Sequence, residues 1–91
     1  MRTEASQQVM RDHVRSILLW HDPMHVGVAS DGYAPEVERI LGGLDTTRSE
    51  QDVAHLVRSI FVEMFDSTAA GPIDRYLGIG KEIWQAHTSA G

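Results

Sequence analysis

Apolar residues recur along this chain at intervals of three and four rather than two, so its regular elements read as helices. From Ser6 to Trp20 the apolar positions are Val9, Met10, Val14, Ile17 and Leu18, the stripe of a core-facing helix, with Thr3 or Ser6 placed to cap its first turn. The segment Trp20-His21-Asp22-Pro23-Met24-His25-Val26-Gly27 then breaks the pattern. Proline fixes its own φ, offers no backbone donor and pushes its predecessor out of the α region, so the first helix should stop near Trp20 or His21. Asp22 is placed to accept backbone amides in the resulting turn.

After the flexible Val26-Gly27-Val28-Ala29-Ser30, the residues Val37, Ile40, Leu41 and Leu44 resume helical spacing, with Pro35 acceptable in a first turn. A short second helix is expected from about Tyr33 to Leu41, ended by Gly42-Gly43, since paired glycines weaken a helix and readily take the left-handed cap. Thr47-Arg48-Ser49-Glu50 and Ser49-Glu50-Gln51-Asp52 each set a hydroxyl three residues before an acid, the spacing of a capping box. The third helix that starts there has the cleanest stripe in the chain: Val53, Leu56, Val57, Ile60, Phe61, Met64 and Phe65, opposite Glu50, Asp52, Arg58 and Glu63. Ser67-Thr68-Ala69-Ala70-Gly71 reads as a linker. Pro72 opens a last helix, about residues 72–87, carrying Ile73, Tyr76, Leu77, Ile83 and Trp84, with Gly78 and Gly80 marking either close packing or a break, and Thr88-Ser89-Ala90-Gly91 fraying. The fold expected is all-α: one domain, residues 1–91, a compact bundle of about four helices with a proline-containing turn between the first two.

Composition narrows the function classes. Thirteen acids against eight Lys and Arg give a formal charge of −5, unfavourable for tracking phosphates, so nucleic acid is not an expected partner. No cysteine is present, which excludes disulfides and thiolate metal sites. The longest apolar run, Ile17 to Trp20, is too short for a membrane span, and the first residues lack a signal-peptide core, so a cytoplasmic protein is expected.

Candidate chemistry is sparse. His21, Asp22 and His25 put three side chains able to ligate a metal within five residues, but Pro23 stands between the histidines and the helical His-Glu-x-x-His pattern is absent. The favoured reading of that cluster is a solvated turn, and no metal is assigned. His13, His55 and His87 fall on different helices, and nothing in their spacing gathers them. Gly78-Ile79-Gly80-Lys81 lacks the preceding strand and the hydroxyl of a phosphate loop, and no nucleophile elbow or paired carboxylates at metal-ligand spacing occur, so no cofactor is expected. Trp20, Met24 and Tyr33 either form an exposed anchor together with Asp22 or close the top of the core.

Taken together, the Trp20 to Gly27 turn, Asp31-Gly32-Tyr33-Ala34-Pro35-Glu36-Val37 and the Ser49-capped helix resemble the YugE-like family of small bacterial helical proteins, over about Val9 to Phe65. The family pattern has a contiguous Trp-Asp-Pro and an acidic Asp-Glu-Tyr segment; here His21 is inserted after Trp20, and Gly32 precedes Tyr33. The resemblance implies a compact all-helical bacterial domain with no established reaction, its signature at Trp20, Asp22, Pro23, Gly27 and Tyr33.

The leading functional expectation is a non-enzymatic module that binds a protein partner, in its concrete form an immunity- or antitoxin-type inhibitor of a basic partner, with Trp20, Asp22, Met24 and Tyr33 on the docking surface. The alternatives are a small metal-dependent enzyme using His21, Asp22 and His25, and a structural homodimer sharing apolar faces.

Overall fold

A computed structural model describes residues 4–21 and 33–90, with side chains at 8–21 and 33–89. Among the described residues there are helices and turns but no strand: α1 (Glu4–His21), α2 (Ala34–Gly43), a 3-10 turn (Leu44–Thr46), α3 (Glu50–Met64), the single-turn α4 (Ser67–Ala70) and α5 (Asp74–Ala90). The all-α bundle expected from the spacing is the fold observed. Its radius of gyration, 12.2 Å, is that of a compact domain of this length, about 12 Å.

α3 is the centre of the bundle, and α5 is its most extensive partner. Val53, Ala54, Val57, Ile60 and Phe61 are buried along α3, as the stripe predicts, while Phe65 falls beyond the helix end and is 41% exposed. Phe61 sits among three rings, edge-on to Tyr33 at 5.6 Å, tilted against Tyr76 at 5.7 Å and stacked on Phe65 at 5.9 Å. Aromatic pairs at such separations add to the area they bury. The helix starts at Ser49, whose Oγ accepts the Asp52 N–H at 3.2 Å, while Asp52 Oδ2 accepts the Arg48 N–H at 2.9 Å. Of the two overlapping capping motifs, the one ending in aspartate is used.

Several boundaries differ from the sequence expectation, each for a local reason. α1 begins at Glu4, so Ser6 lies inside it rather than at its cap. α2 continues through Gly42 and Gly43, and Gly43 has φ −98° rather than a left-handed cap. It packs against α3 instead: a Cβ on Gly43 would stand 2.7 Å from Leu56 Cδ1, a side-chain tip that can turn aside. The Ser67–Ala70 stretch, expected as linker, is a helical turn capped by Asp66, whose Oδ1 accepts the Ala69 N–H at 2.6 Å. α5 passes through Gly78 and Gly80 without a break and extends to Ala90, within the segment expected to fray, residues 88–91, the last of which lies outside the described residues.

The corner between α3 and α5 is closed by side chains donating to the last carbonyl of α4 and to that of its C-cap, Gly71. Arg58 Nε donates to Gly71 O at 2.9 Å, Arg75 Nη1 to Ala70 O at 3.1 Å and Tyr76 Oη to Ala70 O at 2.6 Å. Arg58, placed by its spacing on the solvated face of α3, is therefore half-buried structural apparatus. Burial pushes the Tyr76 phenol above its ordinary pKa, with the nearby Arg75 and Arg58 charges pulling the other way.

Candidate functional site

α1 presents one face to the core through Met10, Val14, Ile17 and Leu18 and leaves the flank beside it turned outward. That outer face carries Val9, His13, Ser16 and Trp20, all exposed, at intervals of four, three and four residues. Side chains so spaced lie along one line of a helix. Val9 is 63% exposed and Trp20 84%, the most exposed large apolar side chain among the described residues. A shallow depression lined by Val9, Asp12, His13 and Ser16 lies on the same face.

The turn residues singled out in the sequence separate here. Trp20 points outward, whereas Tyr33 is 2% exposed and packs edge-on against Phe61. Tyr33 therefore closes the core and can act on a surface only by holding the backbone beneath it. Asp22, Met24 and His25 lie outside the described residues. His21 ends α1 and pairs with Glu82 of α5, with Nε2 facing Oε2. Its ring rests over Gly78, where a Cβ would stand 3.3 Å from His21 Cε1. Among the described residues no three His, Cys, Asp or Glu side chains gather in a way that could hold a metal.

The remaining histidines stay apart. His13 is exposed on α1, and His87 lies beside Trp84 on α5 with ring centres 6.1 Å apart. Asp12, adjacent to His13, receives the Gln8 amide at 3.0 Å. His55 opens on a groove of about 580 Å³ with Thr46, Thr47, Asp52 and Ser59, and the spacing of Asp52, His55 and Ser59 sets all three on one side of α3. Their hydrogen bonds lead elsewhere: Ser59 Oγ donates to Leu56 O at 2.9 Å, Thr46 and Thr47 donate to Gly43 O and Leu44 O, and Asp52 serves the helix cap. A general base needs a proton-bearing partner within hydrogen-bond reach, and here the hydroxyls are committed to the backbone.

One functional candidate has no counterpart in the sequence reading. Glu36, in the first turn of α2, is 5% exposed, and its Oε2 is buried without a hydrogen-bond partner. Its spacing carried the signal: three residues after Tyr33 and four before Ile40, it stands on the edge of the buried stripe of α2. The exposed acids nearby are matched instead, Glu38 by Arg11 at 2.5 Å and Glu63 by Arg39 at 3.2 Å.

No helix among the described residues is long and apolar enough to cross a membrane. No protein-family model, curated protein or solved structure matches the chain.

Proposed function

We propose that this chain is a non-enzymatic protein-binding module whose docking surface is the outer face of α1, with Trp20 as its anchor. The observation that carries this reading is the 84% exposure of Trp20 at the end of a helix whose other face is fully used by the core. Tryptophan is among the residues that dominate binding energy once a partner desolvates them. Val9, His13 and Ser16 continue the surface along the helix, and none of the four positions is an Asp, Glu, Lys or Arg. Asp22 and Met24, next in the chain, belong to the surface in this reading, and Tyr33 supports it from the core.

The concrete form is an immunity- or antitoxin-type inhibitor of a basic partner in a bacterial cytoplasm, in keeping with the YugE-like turn residues. A net charge of −5 speeds encounter with a cationic surface, while Trp20, once covered by the partner, holds the complex. Affinity capture with the wild-type chain and with Trp20→Ala and Asp22→Ala tests it. Loss of the partner from variants that melt like wild type is the expected result; unchanged capture removes the surface. The two exposed apolar side chains of the same stripe, Val9 and Trp20, also suit a second copy of the chain, and sedimentation that depends on concentration and on Trp20 would identify that occupant.

A further inference from the structure

The first turn of α2 departs from three local preferences within four residues. Its N-cap, Tyr33, has φ 64°, the only positive value at a non-glycine among the described residues. Such a backbone is disfavoured for a residue with a Cβ. No side chain caps the helix there, and Glu36 lies buried with Oε2 unpartnered. The positive end of the α2 dipole offsets part of the cost of burying that oxygen. Strain and unmet polar groups are retained in folds chiefly where something other than stability requires them.

We propose that Glu36 is a latent docking carboxylate, which receives a lysine or arginine side chain of a basic partner when the Tyr33–Glu36 turn rearranges. The inference rests on the docking reading above and names the chemistry of that partner. The unmet atom is a carboxyl oxygen, a hydrogen-bond acceptor, so an ammonium or guanidinium donor completes it and an acceptor-only anion does not. Strain stored at Tyr33 lowers the cost of opening the turn, and the pairing restores what the isolated fold lacks. Glu38 and Glu63 offer no equivalent, because each already faces an arginine.

The test uses the intact chain, a ten-residue arginine peptide as probe, and the variants Glu36→Gln, Glu36→Met and Glu38→Gln. Removing a buried, unpartnered carboxyl oxygen should raise Tm without peptide, by about 4 °C or more for Glu36→Met. Both Glu36 variants should bind the peptide about tenfold or more weaker than wild type, while Glu38→Gln, which removes an exposed acid, changes binding by about threefold or less. The proposal is overturned if wild type ignores the peptide, if the Glu36 variants bind it as wild type does, or if they melt lower. Trp20→Ala is run in parallel: capture lost by Trp20→Ala with a Glu36-independent peptide response leaves the docking surface standing alone, and the opposite pattern leaves Glu36 standing alone.

Discussion

Gly80 of α5 lies so close to the backbone of Ala54 in α3 that a Cβ on the glycine would stand 2.7 Å from the Ala54 nitrogen and 2.8 Å from its Cα. The obstacle is main chain, which cannot swing aside as a side-chain tip can. Gly80→Ala should therefore destabilise the chain by about 1–3 kcal/mol, despite gaining helix propensity of roughly 1 kcal/mol. Gly42→Ala is the control: nothing lies within 4 Å of its Cβ, and stability should rise by about 0.4–1 kcal/mol. Urea melts of both variants decide it, and a stabilising Gly80→Ala would refute the close approach of α3 and α5.

The Ser49 cap makes a second, smaller prediction. Ser49→Ala removes the oxygen that accepts the Asp52 N–H and should cost about 0.5–2 kcal/mol, whereas Thr47→Ala, outside the capping position, loses only a bond to Leu44 O and should cost less. Thermal denaturation of the pair ranks the two motifs that overlap in the sequence.

Phe61 and Phe65 stack on each other but are buried very differently. Phe61→Ala should cost about 3–5 kcal/mol and leave little folded chain, while Phe65→Ala, already 41% exposed, should remain folded with a loss of about 1–2 kcal/mol. Equal losses in denaturant titration would contradict the position of Phe61 at the centre of the ring cluster.

Tyr76 carries a pH prediction. Its phenol is held above the ordinary value of 10.0 by burial, so the folded state keeps its proton longer than the unfolded state does. Its contribution is whole below pH 10 and declines as pH rises from there through the raised folded value. Tyr76→Phe should flatten that alkaline decline while costing about 1 kcal/mol at neutral pH through the lost bond to Ala70 O. Tm measured from pH 7 to 11 on both chains separates the two effects.

The sequence makes the core of this fold readable because burial follows spacing. Along α3 every residue from the predicted stripe that lies inside the helix is buried or half-buried. What spacing could not convey is contact between distant segments. Gly43 and Gly80 look like helix breakers until Leu56 and Ala54 are seen against them, and Arg58 looks solvated until Gly71 O is brought under its guanidinium. Glu36 was hidden for the opposite reason: an acid in a first helical turn is ordinary, and only its neighbours make it buried. Of the expected docking residues, Trp20 and Tyr33 part company because a residue at a helix end faces the core or solvent according to an angle that local sequence does not set.

The cluster of donors on α4 has a kinetic side. A segment as short as Ser67–Ala70, lying between two long helices, would ordinarily be where local opening begins and where proteases first cut. With Arg58 of α3 on Gly71 O and Arg75 and Tyr76 of α5 on Ala70 O, its opening should be tied to the separation of α3 and α5. Amide exchange at Ala70 and Gly71 should then keep pace with the slowest amides of the bundle, making this corner one of the last parts of the molecule to unfold.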